Sequence, residues 1–234
     1  MVSAQLSGAV VQLRKPDAVI FDLDGIILDS EPLQQEAYIR TFSGFNVTLT
    51  VDDLVPWMGC REAEILAGLS ARHDLKVDGA ELKKLRSAEY TALLSAGVPP
   101  MDSALDAVAL ARRQGITCAI ATSSSRAEAT LALEGLGILG EFAVMVTGDD
   151  VRQSKPEPDV YLRAVELLGV PAARCVAIED TGVGVDAAAS AGICVIAVPH
   201  SLTRHHDFRR ASGTAASVLE AVSLVLQIAK AKDN

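Results

Sequence analysis

The chain has 234 residues, of which half are hydrophobic, so it can form one large domain or a core with a smaller inserted domain. A formal net charge of −9 and an aromatic content of 4% exclude the basic, aromatic surface typical of nucleic-acid binding. No apolar run is long enough to span a membrane, and the first 15 residues do not read as a signal peptide. The four cysteines lack metal-site and CxxC spacing, so we expect buried thiols in a reducing, cytoplasmic setting.

Five short apolar runs, typical of strands buried on both faces, recur along the chain. They lie at 18–21, 116–121, 142–146, 175–178 and 193–198. The segments that separate the last four are predicted to be helical, at 126–136, 159–168 and 182–191, and a further helix is predicted from a Ser103 cap to residue 114. This alternation predicts an α/β fold with a doubly wound, Rossmann-like parallel sheet.

One region interrupts the alternation. From about residue 32 to residue 98 the patterns are helical, with no convincing buried strand, and Pro99-Pro100 marks the return to the alternating part. We therefore predict an α/β catalytic core at 1–31 and 99–234 with an inserted all-helical cap domain at 32–98. An insert after the first strand is expected over the carboxyl ends of the strands, where ligands bind, so it could act as a lid.

Four polar clusters follow predicted strands. The first contains Asp22 and Asp24, and the second is the hydroxyl run 122–125. The third contains Lys155, and the fourth is the acid pair Glu179-Asp180. Each cluster taken alone has an ordinary explanation as a turn or helix cap. Their joint order predicts one site, because the carboxyl ends of parallel strands share one edge of the sheet.

Phosphoryl transfer is the chemistry that these residue types favour together. Hydroxyl and backbone N–H donors at 122–125 can bind a phosphate, and Lys155 can neutralise its charge. The carboxylates of Asp22 and Asp180 are ligands that Mg²⁺ prefers. One aspartate can then accept the phosphoryl group, while Asp24 transfers protons.

The four clusters resemble the motifs of the haloacid dehalogenase-like hydrolase superfamily. The matching stretches are Phe-Asp-Leu-Asp-Gly-Ile-Ile-Leu-Asp-Ser-Glu-Pro at 21–32, Ala-Thr-Ser-Ser-Ser-Arg at 121–126, Ser-Lys-Pro-Glu-Pro-Asp at 154–159 and Ile-Glu-Asp-Thr-Gly-Val-Gly-Val-Asp-Ala-Ala at 178–188. The resemblance covers roughly residues 17–198. It is strongest for the helical-cap subgroup, which includes sugar-phosphate phosphatases and proteins similar to beta-phosphoglucomutase.

The resemblance implies a role for each matched residue. Asp22 is expected to be the nucleophile, and Asp24 the general acid/base, which also offers its backbone carbonyl to the metal. The Thr122 hydroxyl and the Ser123 backbone N–H are expected to bind the phosphate. The resemblance further implies that Lys155 bridges nucleophile and phosphate, and that Asp180 binds Mg²⁺ with the help of Glu179, directly or through water.

The function predicted from these features is an Mg²⁺-dependent phosphatase that hydrolyses a small phosphorylated metabolite, a sugar phosphate, through an aspartyl-phosphate. The resemblance implies that dehalogenation and phosphonate cleavage are disfavoured, because members with those activities lack the second acid of the first motif and Asp24 is present here. A phosphomutase is the first alternative, although Gln34 stands where the resembling mutases have a histidine. A non-catalytic phosphometabolite-binding protein is the second.

Candidates outside the four motifs are weaker. Glu31 and Arg61 could contact the rest of the substrate. Trp57 could stack on a sugar, but for the single tryptophan of the chain, packing in the core of the cap is the favoured interpretation. The adjacent pair His205-His206 is interpreted as a surface feature, because neighbouring residues rarely bind one ion. We expect a monomer or a weak homo-oligomer.

Overall fold

The structure is a computed structural model that describes residues 15–57 and 62–230. Its sheet has six parallel strands in the order β3-β2-β1-β4-β5-β6, which confirms the predicted doubly wound fold. The strands are β1 (Ala18–Phe21), β2 (Thr117–Ala121), β3 (Val144–Val146), β4 (Cys175–Glu179), β5 (Cys194–Ala197) and β6 (Gly213–Thr214).

The helices complete the α/β alternation in one part of the chain and stand alone in the other. They are α1 (Glu31–Ser43), α2 (Val51–Leu54), α3 (Glu62–Arg72), α4 (Gly79–Ala96), α5 (Ala104–Arg113), α6 (Arg126–Gly135), α7 (Asp159–Leu168), α8 (Gly182–Ser190) and α9 (Val218–Lys230). None of the described helices is long and apolar enough to cross a membrane.

The chain divides into two compact units. One contains the stretch that ends at Asp29 together with the stretch from Pro99 onward, and the other is Ser30–Val98. The first boundary therefore falls two residues before the predicted one. In the described part of the second unit, the regular elements are α-helices and one short 3₁₀ helix at Val55–Trp57. Its own hydrophobic cluster includes Phe42 and Leu69, both fully buried.

The core of the larger unit explains the composition of its strands. Every residue of β1 and β4 is buried, because helices cover a parallel sheet on both faces. Alanines at several of the packing positions, such as Ala119, Ala177 and Ala188, occupy little space there. Since β2 lies on one side of β1 and β4 on the other, the strand order reverses beside β1, which is where open α/β sheets bind ligands.

Several local predictions need correction. Strand β6 is not among the five predicted strands, because it has only two residues and no apolar run. The helix after Ser103 lacks the predicted side-chain cap, because Ser103 has a φ of +65° and its hydroxyl makes no hydrogen bond. Cys118 and Cys175 are buried thiols, whereas Cys194 is only partly buried, and Cys60 lies outside the described residues.

Candidate active site

The first strand delivers two aspartates to its carboxyl end. Asp22 is 8% exposed, and its backbone N–H donates to the carbonyl of Ile178 at 3.0 Å, so it continues the pairing of β1 with β4. Three residues after Asp22, Gly25 turns the chain with a φ of +78°. A Cβ at Gly25 would lie 2.5 Å from Oδ2 of Asp180, so glycine is required both by the backbone and by the neighbouring carboxylate.

Lys155 joins the ends of β1 and β4. Its Nζ donates to Oδ1 of Asp22 at 2.6 Å and to Oε1 of Glu179 at 2.7 Å, and its side chain is only 6% exposed. The same Glu179 oxygen accepts a hydrogen bond of 2.5 Å from the hydroxyl of the buried Tyr161. The ammonium is therefore held between two carboxylates. In the sequence, Lys155 is 133 residues from Asp22 and 24 residues from Glu179.

The hydroxyl run after β2 lies beside these carboxylates. Thr122 is almost fully buried and accepts a hydrogen bond from the backbone N–H of Ser124 at 3.0 Å. The hydroxyl of Ser124 donates to Oδ2 of Asp24 at 2.6 Å, which links the second cluster to the first. The hydroxyl of Ser123 accepts from Ser154 at 2.6 Å, which links it to the third.

The fourth cluster ends β4. Glu179 is fully buried and Asp180 is 4% exposed. A Cβ at Gly184 would lie 2.0 Å from Oε2 of Glu179, so a glycine in the first turn of α8 makes room for this carboxylate. Oδ2 of Asp180 lies 3.0 Å from Nε2 of His200, whereas its Oδ1 is buried without a hydrogen-bond partner.

Three carboxylates of this site could hold a metal ion. Oxygen atoms of Asp22, Glu179 and Asp180 lie within 4.8 Å of one another. All-oxygen donor sets suit Mg²⁺, and an unpartnered buried oxygen such as Oδ1 of Asp180 costs free energy unless a cation or donor meets it. The donors present therefore fit a hard divalent cation. Asp24 is not part of this carboxylate group, and its expected contribution is a backbone carbonyl.

Burial raises the pKa values of the three clustered carboxyl groups of the site. Burial raises the pKa of Asp22 to about 7, although the nearby Lys155 ammonium acts in the opposite direction. Burial likewise raises the pKa of Asp180 to about 6, against the hydrogen bond from His200, and raises that of Glu179. Burial alone would lower the pKa of Lys155, but the charges of Asp22 and Glu179 raise it overall, so the ammonium stays protonated. A bound cation would favour the ionised carboxylates.

The structure brings together the predicted residues Asp22, Asp24, Thr122, Ser123, Lys155, Glu179 and Asp180, all of which lie in the larger unit. Glu31 is the first residue of α1 in the helical unit and accepts a hydrogen bond of 3.1 Å from Gln35. Arg61 lies outside the described residues.

Trp57 and the histidine pair have local partners. Trp57 packs with the hydrophobic cluster of the helical unit, against Gly68. His205 and His206 contact each other edge to face, and Nδ1 of His206 accepts from the backbone N–H of Gly182 at 3.3 Å. Among the described residues, neither histidine belongs to the group of side chains that could hold a metal ion.

Two side chains of the site were missed at the sequence level. Tyr161 occupies an apolar position of α7, and nothing in the local pattern distinguishes its hydroxyl from that of an ordinary core tyrosine. His200 had a detectable signal, because it follows β5 as the four clusters follow their own strands.

Fold and site together define a hydrolase built on a doubly wound sheet, with an acidic site at its reversal point. Residues 19–198 match the family model described as haloacid dehalogenase-like hydrolase, so the chain belongs to this family.

Known proteins are similar over most of this chain. The "Phosphorylated carbohydrates phosphatase" of Thermotoga maritima is 36% identical over 187 residues, which are 80% of this chain and 87% of that protein. "Protein SUPPRESSOR OF QUENCHING 1, chloroplastic" of Arabidopsis thaliana is 36% identical over 81% of this chain, which spans only 18% of that longer protein. The crystal structure of CbbY from Rhodobacter sphaeroides in complex with phosphate superposes with a TM-score of 0.77 at 29% identity, over 88% of this chain and 96% of that one.

Proposed function

We propose that this chain is an Mg²⁺-dependent phosphatase that hydrolyses a small phosphorylated metabolite, a sugar phosphate, through an aspartyl-phosphate on Asp22. One observation carries the proposal: the buried Lys155 ammonium contacts both Asp22 and Glu179, beside an Asp180 oxygen that has no partner. The names of the relatives support the substrate class, since one is a phosphatase of phosphorylated carbohydrates and another was solved with phosphate.

In the first half-reaction, a carboxylate oxygen of Asp22 attacks phosphorus and the bond between phosphorus and the ester oxygen breaks. Asp24 donates its proton to the departing alkoxide. In the second half-reaction, Asp24 accepts a proton from the water that attacks the aspartyl-phosphate, which releases phosphate and restores Asp22. The hydrogen bond from Ser124 to Asp24 supports this role, because it holds the carboxyl beside the nucleophile's strand.

The remaining residues bind charge. We assign phosphate binding to the Thr122 hydroxyl, the Ser123 backbone N–H and Lys155. Mg²⁺ would be held by Asp22, Asp180 and the Asp24 carbonyl, with Glu179 binding directly or through water. When bound, the ion neutralises oxygen atoms of the transferring phosphoryl group.

Recognition of the rest of the substrate falls to side chains outside the four motifs. Glu31 and Arg61 stay candidates for this recognition. Glu31 could accept hydrogen bonds from hydroxyl groups of the substrate, and Arg61 could bind a second anionic group.

Two alternatives predict different products. A phosphomutase would return the phosphoryl group to a second substrate hydroxyl instead of water, and Gln34 disfavours it because the resembling mutases have a histidine there. A hexose 1-phosphate would then yield the 6-phosphate in place of free phosphate. A non-catalytic binder would bind phosphate without turnover. The hydrogen bond between Ser124 and Asp24 argues against it, because a binding protein has no need for a positioned second acid.

The test is a panel of sugar phosphates and a generic aryl phosphate, assayed for released phosphate with Mg²⁺ and with EDTA. We expect turnover that requires Mg²⁺, and the Asp22→Asn variant to lose at least 10³-fold in kcat while it keeps its circular dichroism spectrum. Asp102→Asn, which changes an exposed acid in a turn before α5, serves as the matched control and should retain full activity. Activity that survives in Asp22→Asn would refute the nucleophile assignment, and absence of turnover over the whole panel would refute the proposed function.

A further inference from the structure

The loop that follows β5 contributes a histidine to the acid pair at the end of β4. Nε2 of His200 lies 3.0 Å from Oδ2 of Asp180, and the two side chains are 24% and 6% exposed. His200 belongs to none of the four motifs, and no step of the proposed reaction uses it. Gly25 leaves space for this contact, because a Cβ at that position would lie 2.5 Å from Oδ2 of Asp180 and 3.3 Å from Nε2 of His200.

The hydrogen bonds around the imidazole assign its proton. The backbone N–H of Leu202 donates to Nδ1 of His200 at 3.4 Å, so Nδ1 acts as an acceptor. In a neutral imidazole one nitrogen accepts and the other donates. The hydrogen-bond network therefore places the proton on Nε2, which donates it to Oδ2 of Asp180.

The backbone of His200 is held from both sides. Its N–H donates to the hydroxyl of Thr203 at 3.1 Å, and its carbonyl accepts from the N–H groups of Thr203 and Arg204 at 3.1 and 3.0 Å. The imidazole is thus presented by a turn that is itself hydrogen-bonded, and Thr203 is 7% exposed. A donor fixed in this way restricts the rotation of the carboxylate that it contacts.

The two carboxylate oxygens of Asp180 have different surroundings. Oδ2 is engaged by the imidazole, whereas Oδ1 is buried and has no hydrogen-bond partner. We propose that His200 is a positioning residue that orients Asp180, so that Oδ1 is the oxygen offered to the divalent cation. The inference rests on the metal site of the proposed function. Partners that orient a metal ligand typically change metal affinity by about 10–100-fold when they are removed.

Binding of Mg²⁺ to the full chain without substrate tests the inference, measured by isothermal titration calorimetry and by the Mg²⁺-dependent shift in melting temperature. In His200→Gln the amide nitrogen can take the place of Nε2, whereas His200→Asn carries the same amide on a side chain one methylene shorter. We expect Mg²⁺ to bind about 10–100-fold more weakly to His200→Asn and His200→Ala, and within about threefold of the unchanged protein to His200→Gln. His205→Ala, which removes an exposed histidine from the same loop, should leave the affinity unchanged.

The outcomes separate this inference from the function on which it rests. Equal Mg²⁺ affinity in His200→Asn and His200→Gln would overturn the positioning role, even if the alanine variant failed to fold. Normal Mg²⁺ binding by a folded His200→Ala would overturn it as well. In both cases the unchanged protein would still hydrolyse phosphate esters. Absence of Mg²⁺ binding to the unchanged protein would instead overturn both proposals.

Discussion

The buried ammonium of Lys155 compensates the negative charge of Asp22 and Glu179. Its removal should therefore lower the free energy of unfolding much more than the loss of a surface ion pair does. Its Nζ contacts Asp22 at 2.6 Å and Glu179 at 2.7 Å, and the three side chains are 6%, 11% and 0% exposed. Lys155→Met keeps an unbranched apolar stem and deletes only the charge and its donors. Removal of one partner from a buried pair costs about 3–5 kcal/mol, because the other partner stays buried and uncompensated. Since two carboxylates lose their shared donor here, we expect the upper half of that range.

The destabilisation caused by Lys155→Met should increase with pH. The folded-state pKa of Asp22 is already raised from 3.8 to about 7 with Lys155 in place, and it rises further without the ammonium. A carboxyl with a raised folded-state pKa favours folding when it is protonated. That contribution is complete below about pH 4 and is lost as pH rises through the folded-state value. The free energy of unfolding of Lys155→Met should therefore fall behind that of the unchanged protein progressively between pH 6 and pH 8.5.

Urea denaturation in EDTA measures this effect. Lys83→Met is the matched control, because Lys83 is a surface lysine with a side chain 67% exposed, 3.4 Å from Glu62. It should cost at most about 1 kcal/mol. The double variant with Asp22→Asn should be less destabilised than the sum of its single variants, by about 1–3 kcal/mol, because the neutral amide needs no ammonium partner. The reasoning fails if Lys155→Met unfolds at the same urea concentration as Lys83→Met, or if the effects of Lys155→Met and Asp22→Asn are additive.

Two further predictions concern positioning within the site. Ser124→Ala removes the 2.6 Å hydrogen bond to Asp24. Hydrogen bonds to charged groups contribute about 1.5–3 kcal/mol. We therefore expect kcat to fall by about 10–100-fold in a steady-state phosphate-release assay. An unchanged kcat would mean that Asp24 needs no such support. Gly184→Ala should displace Glu179, whose Oε2 would lie 2.0 Å from the new Cβ, and lower the free energy of unfolding by about 1–3 kcal/mol. Gly135→Ala, where a Cβ meets nothing within 4 Å, is its control and should unfold no more easily than the unchanged chain.

The strand ends were predictable because the relevant signals are local. A strand buried on both faces must be apolar throughout, so the acids Asp22 and Asp180 stand out directly after β1 and β4. Gly169, which ends α7 with a φ of +68°, is an equally local signal. Where such a signal is absent no element is predicted, as for the two-residue strand β6.

Other features depend on contacts that no local pattern encodes. Ser103 has the residue type of a helix cap, but the turn that enters α5 places it in the left-handed region with its hydroxyl away from the helix N–H groups. The role of Tyr161 depends on the burial of Glu179 beside it, 18 residues further along the chain.

Residue types and their order along the chain were sufficient to indicate a parallel sheet, a helical insert and a phosphoryl-transfer site at the strand ends. These follow from rules about which side chains can be buried and which chemistry they allow. Packing alone decided that Lys155 donates to two carboxylates at once, that Ser124 contacts Asp24 across 100 residues, and that His200 engages one particular oxygen of Asp180. Such contacts depend on distances of a few ångströms between remote segments, which are set by the register and stacking of the whole sheet and not by spacing in the chain.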